Sequence, residues 1–468
     1  MLRWIAIALV VLAASGSSGQ ARPAAVSGSW IGTYTLGGPG TVAFDVSGRR
    51  AVVALGGGHP GAQRVAVSTG GSRIRFALPG RPAPVVFDGA LADGIVQGSV
   101  RQGSARGSFR ANRGASPALL APGLYAARGG VLGVVDDPYG PARLVDLESG
   151  AVNALYPAGA SFRIGGGFAV RDPVRGTVRF DAAGATVDGA RAARIQTRQL
   201  EVRFPSRAAV LAGTLTLPAG PGRHAAVAFV QGSGPTTRAY LPDLQALLVR
   251  CGVAVLAYDK RGIGQSTGSY PGESPTSATV DVLARDAAAA VRFLAAQPEI
   301  DPARVGLAGH SQAGWIMPLA ASREPAVRFL ISFSGPAVTA DETDVYQDLT
   351  GQGERPQQLS NEAIDAQVLR SGPGGVDPIP WIRKLRIPAI WLYGGRDEHI
   401  PARLSVRRLE PLTHAAGRDF ATVVFPNANH ALVETRTGLT SEMLRSDRFA
   451  PGLFERVAAW LRAHGLSA

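Results

Sequence analysis

Three side chains in the C-terminal part of the sequence are of types that can together carry out nucleophilic catalysis: Ser311, Asp397 and His430. A serine hydroxyl is a weak nucleophile at neutral pH and needs an adjacent base. A histidine can take the serine proton and return it to a leaving group, while a carboxylate holds the imidazole in the required tautomer. The three residues are far apart in sequence, so the fold must bring them together.

The stretch around Ser311 has the features of a strand, a sharp turn and a helix. The sequence VGLAGHSQAGWIMPL begins with a short apolar run, continues as Gly309-His310-Ser311-Gln312-Ala313-Gly314, and ends in a helix-compatible segment. Small residues on either side suit a serine held in a tight, strained turn, as in a nucleophile elbow. Such a turn also directs the Gln312 amide and the N-terminus of the next helix at the reaction centre. We therefore predict Gln312 as the first oxyanion donor.

The other candidate residues follow predicted buried strands. The strands and the loops after them are 225–230 with QGSGP, 253–258 with DKRG, 305–308 with the Ser311 turn, 389–393 with GGRDEHIP, and 421–425 with PNANH. In a doubly wound sheet, active residues lie in loops at the carboxyl ends of strands. The chain order Ser, Asp, His is that of α/β-hydrolases. The QGSGP loop would supply the second oxyanion donor. The Ser233 amide is the first candidate, and the Gly232 amide is the second.

Several neighbouring residues compete for these roles. His399 is only two residues after Asp397 and is interpreted as a loop residue that lines the cleft. Glu398 is the alternative acid, and His310 is interpreted as a packing or cleft-lining residue. The run 259–261 is interpreted as a structural charge cluster. The sequence has neither zinc-type His/Cys spacing nor a phosphate-binding loop, so no metal or cofactor is predicted.

The order of strand and helix signals in the sequence predicts which elements position these residues. From Gln196 onward, strand and helix signals alternate, which predicts an α/β domain with a mostly parallel, doubly wound sheet over residues 196–468. Residues 338–383 are polar and contain Gly and Pro, and they are predicted to form a short cap over the site.

The region before the α/β domain is predicted to be all-β. Residues 22–115 alternate short β-like runs with Gly-rich turns and predict a small antiparallel barrel or sandwich. Residues 116–195 form either a second β segment or a continuation of the first. We find no repeat of the length that a β-propeller blade requires.

Residues 1–21 have the pattern of a secretory signal peptide. A positive charge at Arg3 precedes an apolar run from Trp4 to Ala14, and cleavage is expected after Ala21. This run is too short to span a bilayer, so no transmembrane segment is expected after processing. Cys251 is the only cysteine, which excludes an intramolecular disulfide. These features predict an exported bacterial protein, periplasmic or secreted.

The positive charge of the sequence is concentrated in its N-terminal half. The formal net charge is +13; residues 22–195 contain 19 Arg and 10 acidic residues, and residues 196–468 contain 28 Arg or Lys and 25 acidic residues. The arginines are scattered singly, which argues against a nucleic-acid partner. A weak contact of the N-terminal β region with anionic polymers of the cell envelope is expected.

The motif set resembles that of a known family. QGSGP, YDKRGIGQSTG, DPARVGLAGHSQAG, GGRDEHIP and the late Asn-His pair resemble bacterial exported α/β-hydrolases of the serine carboxylesterase type, related to prolyl oligopeptidase and acyl-CoA thioesterase-type domains. The resemblance covers residues 196–468. It implies an esterase-like serine hydrolase with Ser311, Asp397 and His430 as the triad. The sequence departs from the family pattern at Gln231, where the family has His, and at Ala313, where it has Gly.

Three functions are compatible with these residues. The first is hydrolysis of a small-molecule carboxylic ester through an acyl-enzyme intermediate. The second is peptide hydrolysis by an exported aminopeptidase of the oligopeptidase type, although the sequence shows neither a propeller nor an acidic pair for a substrate amino terminus. The third is a catalytically silent protein that binds the cell envelope through its β region.

Overall fold

The described part of the chain forms two closed antiparallel barrels and one mixed sheet with its helices in the computed structural model. The structure describes residues 26–36, 39–55, 63–78, 83–113, 120–137, 142–158, 161–168, 176–443 and 446–467. The predicted signal peptide lies outside the described residues. Among the described residues, no helix is long and apolar enough to cross a bilayer.

The first barrel has eight strands that neighbour one another in chain order, and its first and last strands pair to close it. Trp30 lies opposite Arg113 across this closing pair. Aromatic side chains fill the interior; the rings of Phe44, Phe76 and Phe87 follow one another at centroid distances of 5.2 and 5.0 Å. The strands are β1 (Gly28–Thr35), β2 (Pro39–Ser47), β3 (Arg50–Leu55), β4 (Gln63–Gly70), β5 (Arg73–Leu78), β6 (Val85–Ala92), β7 (Ile95–Gln102) and β8 (Ala105–Arg113).

The second barrel also has eight strands, most of them shorter. Its first strand pairs with both the second and the last strand, which closes the sheet. Leu155, Phe162 and Val178 lie in its interior. The strands are β9 (Gly123–Ala127), β10 (Gly130–Val135), β11 (Arg143–Asp146), β12 (Val152–Ala158), β13 (Ser161–Ile164), β14 (Gly176–Asp181), β15 (Gly184–Val187) and β16 (Ala190–Ile195).

An eight-stranded mixed sheet organises the rest of the chain. Its strands are β17 (Arg198–Ser206), β18 (Ala209–Leu217), β19 (His224–Val230), β20 (Ala254–Tyr258), β21 (Ile300–His310), β22 (Leu330–Phe333), β23 (Ala389–Gly394) and β24 (Phe420–Phe425). Their order is β17-β18-β20-β19-β21-β22-β23-β24, and all pairs from β20 onward are parallel. The carboxyl ends of these parallel strands therefore meet at one edge, where loops can form a site.

Helices cover both faces of the sheet, and the cap lies between β22 and β23. The helices are α1 (Pro242–Arg250), α2 (Ser277–Ala295), α3 (Ala313–Arg323), α4 (Ala340–Thr350), α5 (Asn361–Ser371), α6 (Ile379–Ile382), α7 (Ala402–Thr413), α8 (Thr440–Met443) and α9 (Leu453–Ala463). The cap contains α4, α5 and α6. A capping box starts α4: Thr339 Oγ1 accepts from the Glu342 amide at 3.3 Å, and Glu342 Oε2 accepts from the Thr339 amide at 2.8 Å.

The second barrel shares an apolar core with the α/β domain. Side chains from this barrel pack in one cluster with residues of α1 and α9; the barrel residues are Leu124, Val135, Val145, Leu147, Val152 and Phe168. The core of the first barrel, in contrast, consists only of residues from that barrel among those described. The second barrel is thus an integral part of the α/β domain.

A buried ion pair reinforces this junction. The guanidinium of Arg143, on β11, donates to both carboxylate oxygens of Asp243, on α1, at 3.0 and 2.6 Å, and also contacts Asp137. The side chains of Arg143 and Asp243 are only 6% and 3% exposed. Burial by itself lowers the pKa of Arg143, but the two carboxylates raise it by more than burial lowers it. The arginine therefore stays charged.

Replacing Arg143 with alanine is expected to lower the free energy of unfolding by about 3–5 kcal/mol, because Asp243 would be left as an unpaired buried charge. Urea unfolding followed by fluorescence measures this. The matched control is Arg191→Ala, which removes an exposed Arg–Asp pair with Asp181 in the same barrel and should leave the midpoint near that of the wild type. Equal midpoints for the two variants would contradict the prediction.

Candidate active site

Ser311 lies at the turn between β21 and α3, with a φ angle of 57°. Its amide donates to the carbonyl of Phe333 at 3.0 Å, which ties the turn to the end of β22. A Cβ atom at Gly309 would lie 2.6 Å from the Cβ of Ala313 and 2.6 Å from the carbonyl oxygen of Val230. Glycine is therefore required at position 309, and the alanine at position 313 fits the elbow.

Asp397 and His430 form a hydrogen-bonded pair in the loops after β23 and β24. Nδ1 of His430 lies 2.9 Å from Oδ2 of Asp397. The other carboxylate oxygen, Oδ1, accepts from the amides of His399 and Ile400 at 2.8 Å each. Because these amides fix the carboxylate, it holds the proton of His430 on Nδ1 and leaves Nε2 to act as the base.

The charge states of the pair suit this role. Burial lowers the pKa of His430 to about 3, because the imidazolium ion would lose its solvation. Burial raises the pKa of Asp397 to about 6, an effect opposed by His399 and by the two amides. At neutral pH the imidazole is therefore neutral and able to accept a proton from a serine hydroxyl.

His310 connects the serine turn to the loop of the base. Its Nε2 donates to the carbonyl of His430 at 2.9 Å, and its Nδ1 accepts from the hydroxyl of Tyr240 at 2.7 Å. The rings of His310 and His430 have centroids 4.5 Å apart. Burial lowers the pKa of His310 to about 3, so it stays neutral and keeps both hydrogen bonds. The turn that carries Ser311 is thus tied to the loop that carries His430 through His310.

The other two competing residues lie beside the pair but do not replace it. The ring of His399 packs against that of His430 at a centroid distance of 4.7 Å. Burial lowers the pKa of His399 to about 4. The Glu398 side chain is buried, and its Oε2 has no hydrogen-bond partner among the described residues. Burial and the neighbouring Asp397 raise the pKa of Glu398 to about 7.

The QGSGP loop lies directly against the nucleophile. A Cβ atom at Gly232 would lie 3.2 Å from the Cβ of Ser311 and 2.4 Å from the Tyr240 hydroxyl, so a side chain here would displace that hydroxyl. The side chain of Gln231 donates to the carbonyl of Tyr258 at the end of β20. This contact anchors the start of the loop where the family pattern has histidine.

The predicted oxyanion donors are available for a ligand. Among the described residues, the amides of Gly232, Ser233 and Gln312 donate to no protein acceptor. Because Gly232 touches Ser311 and Gln312 directly follows it, these amides flank the nucleophile. The structure therefore brings all six predicted site residues to one edge of the sheet.

The charged run after β20 is divided between two roles. Asp259 accepts from the guanidinium of Arg238 at 3.1 and 3.0 Å. Arg261 pairs with Asp286 on α2. These two residues pin loops to the sheet, as expected for a structural cluster. Lys260 differs because its side chain enters the QGSGP loop.

The sequence pattern gave no indication of the contacts between the cap and the loop of Asp397. Three side chains of α4 donate to successive carbonyl groups of the acid loop. They are Tyr346 to Asp397 at 2.6 Å, Thr350 to Glu398 at 2.6 Å, and Gln347 to His399 at 3.1 Å. These partners are about 50 residues apart, and no local motif marks them. The cap therefore anchors the loop that carries Asp397, the predicted catalytic acid.

Replacing Tyr346 with phenylalanine is expected to lower kcat by roughly 5–30-fold. The change leaves the buried carbonyl of Asp397 without its donor, so the loop holds the carboxylate less well. We expect this to raise the activation free energy by about 1–2 kcal/mol. Steady-state kinetics measures this. The control is Tyr34→Phe inside the first barrel, which should leave kcat unchanged. A lower melting temperature with an unaltered kcat would mean that Tyr346 only stabilises the cap.

Comparisons with known proteins agree with a hydrolytic site. Residues 221–358, which include the QGSGP loop and Ser311, match the family model described as serine aminopeptidase S33. The esterase EstD of Thermotoga maritima is 25% identical over 281 residues, which cover 54% of this chain and 65% of EstD. The matched part of the chain thus spans just under two thirds of that relative. The family match and this relative support a serine hydrolase of the α/β-hydrolase type.

Two solved structures are also similar to the chain. The esterase Pf2001 of Pyrococcus furiosus has a TM-score of 0.41 and 17% identity, and the match covers 57% of this chain and 90% of that protein. The dienelactone hydrolase of Anabaena variabilis has a TM-score of 0.37 and 16% identity, with 57% and 98% coverage.

Proposed function

We propose that this protein hydrolyses carboxylic esters of small molecules through an acyl-enzyme intermediate. The observation that carries the proposal is the hydrogen-bonded pair of Asp397 and His430, linked through His310 to Ser311 in a left-handed elbow conformation. A strained elbow, a neutral imidazole and a buried carboxylate together are the requirements of nucleophilic serine catalysis.

The mechanism follows from the positions of these groups. His430 Nε2 takes the proton of Ser311 Oγ as the oxygen attacks the ester carbonyl. The resulting oxyanion accepts hydrogen bonds from the amide of Gln312 and from that of Ser233 or Gly232. The imidazolium then protonates the leaving alcohol, and the acyl group stays on Ser311. Water, deprotonated by His430, attacks the acyl carbonyl; the bond to Ser311 Oγ then breaks, the imidazolium returns the proton to Oγ, and the acid is released.

Peptide hydrolysis is the second candidate, and the family model favours it by name because it describes serine aminopeptidases. The same triad serves both reactions, since amide and ester hydrolysis share the tetrahedral intermediate. An esterase is favoured by the relative EstD, whose name gives that activity. The substrate series below separates the two activities.

The test is a series of p-nitrophenyl esters of increasing acyl length, run beside aminoacyl p-nitroanilides. We expect turnover of esters and labelling of Ser311 by a fluorophosphonate, located by peptide mass spectrometry. The matched control is Ser334→Ala, because Ser334 is another buried serine with positive φ, 47°, at the end of β22. This variant should label like the wild type.

Other outcomes would overturn the ester proposal. Cleavage of the anilides without the esters would establish a peptidase. Inertness toward both, together with an unlabelled Ser311, would favour the catalytically silent binding protein.

We further propose that the protein is exported from a bacterial cell and that its first barrel contacts anionic envelope polymers. Arg101 and Arg106 lie directly opposite each other on β7 and β8, an unfavourable arrangement that an anionic partner would relieve. Arg73 and Arg75 are exposed on β5. Cell fractionation tests export. Salt-sensitive binding to an anionic polysaccharide, but not to a neutral polysaccharide of similar length, tests the contact.

A further inference from the structure

One buried lysine is not used by the mechanism above. Lys260 follows β20 and is only 2% exposed. Its ammonium group contacts three acceptors: the carbonyl of Gly232, the carbonyl of Gly234 at 3.0 Å, and Oε1 of Gln312 at 3.4 Å. A lysine ammonium has three N–H donors and no acceptor, so these three contacts match its donor capacity.

The contact with Gly232 determines the direction of an oxyanion donor. The carbonyl of Gly232 and the amide of Ser233 belong to the same peptide group. In a planar trans peptide, the C=O and N–H bonds point in opposite directions. A donor that holds the carbonyl therefore also fixes the direction of the Ser233 N–H, which points away from Lys260 within the peptide plane. A cation on the carbonyl also polarises the peptide and strengthens its N–H as a donor.

The contact with Gln312 reaches the other oxyanion donor. The Gln312 side chain lies between two partners: its oxygen faces Lys260, and its Nε2 donates to the carbonyl of Glu273 at 3.1 Å. The backbone amide of the same residue is the first oxyanion donor. Lys260 thus contacts the Gln312 side chain and the peptide group that carries the Ser233 amide, the two places whose amides would stabilise the tetrahedral intermediate.

The charge of Lys260 is not neutralised by its chain neighbour. Asp259 is occupied by Arg238, which donates to both of its carboxylate oxygens. The groups that face Lys260 are Glu273, whose charge favours the ammonium form, and the ring of Tyr270 at 5.9 Å. Burial lowers the pKa of Lys260 to about 7.

We propose that Lys260 is a positioning residue that sets both amides of the oxyanion site and places a positive charge behind the developing oxyanion. This inference rests on the proposed ester hydrolysis and adds to it a group that acts through the amides without touching substrate.

The first test replaces Lys260 with methionine, which keeps the length of the side chain and removes the charge. We expect a roughly 10–100-fold loss of kcat, below the loss typical of deleting one oxyanion donor outright. KM should change less than about threefold. Affinity for a trifluoromethyl ketone, which forms an oxyanion in the site, should fall by a similar factor to kcat. The control is Lys384→Met, because Lys384 is the only other lysine in the sequence and is exposed.

The outcomes separate this inference from the proposed function. If Lys260→Met retains the kcat and ketone affinity of Lys384→Met, the positioning role is wrong while ester hydrolysis stands. If Lys260→Met has a lower melting temperature and a higher KM but keeps its affinity for the ketone, Lys260 is only structural. If the wild type itself neither turns over esters nor binds the ketone, both proposals fall.

A second measurement leaves Lys260 in place. In the Lys384→Arg variant, Lys260 is the only lysine. Its 13Cε chemical shift in 13C-lysine-labelled protein then reports its titration directly. Formation of the ketone adduct should raise the pKa of Lys260, because a negative oxygen forms near the ammonium group. An unchanged pKa in a fully formed adduct would overturn the inference.

Discussion

Replacing Ser311 with alanine is expected to lower kcat for ester hydrolysis by about a million-fold. That is the scale of loss seen when the nucleophile is removed from a complete serine triad. Without Oγ no acyl-enzyme can form, and the remaining groups can only assist attack by water. The fold should be unaffected because alanine at the same left-handed position, φ 57°, has the same Cβ atom as serine.

The measurement must exclude traces of wild-type enzyme. Kinetics at high protein concentration, with titration of active sites by a fluorophosphonate, sets the detection limit. Circular dichroism and thermal unfolding should match the wild type. The control Ser334→Ala removes a hydroxyl that has no hydrogen-bond partner among the described residues and should retain wild-type kcat. A loss of less than about a hundred-fold in the Ser311 variant would mean that another residue is the nucleophile.

The positions of the three candidate catalytic residues were predictable because each residue belongs to a local pattern. A buried strand followed at once by a polar loop places its first residues at the carboxyl edge of the sheet, whatever the rest of the fold. Ser311, Asp397 and His430 each satisfy this condition, and short-range turn chemistry fixes the elbow. The sequence also indicated the amides beside them, since a backbone donor depends only on its place in the turn.

Contacts between distant segments were not predictable in the same way. Alternating β-like runs are compatible with a barrel or a sandwich, and only the pairing of β1 with β8 closes the first barrel. The pairing partners Trp30 and Arg113 are more than 80 residues apart, and nothing in either strand specifies the other. Likewise, no local signal in Tyr346 marks it as a partner of the acid loop.

The second barrel illustrates a different limit. Its strands carry apolar residues that face its own interior, such as Val178, and others that face the α/β domain, such as Phe168. Periodicity shows that both sets are buried but does not show against what. The same holds for Lys260, which the sequence placed in a structural charge cluster and whose acceptors become known only from the folded loop.

Replacing Asp397 with asparagine is expected to lower kcat by about 10,000-fold while leaving the fold intact. The structure explains why the asparagine would be harmful. Oδ1 of Asp397 accepts from the amides of His399 and Ile400, so the oxygen of an asparagine must occupy that position. Its NH2 group would then face Nδ1 of His430, which is now 2.9 Å from a carboxylate oxygen.

An NH2 donor beside Nδ1 forces the proton of the neutral imidazole onto Nε2, so the ring loses the lone pair that accepts the serine proton. The matched control is Glu398→Gln, which makes the same isosteric change at the next residue, where Oε2 has no partner among the described residues. We expect this control to stay within about threefold of wild-type kcat. A large loss in Glu398→Gln with a loss below tenfold in Asp397→Asn would assign the acid to Glu398, although Asp397 contacts the imidazole. We expect the opposite pattern, a large loss in Asp397→Asn and a small one in Glu398→Gln, because Asp397 sets the tautomer in which Nε2 of His430 can accept a proton.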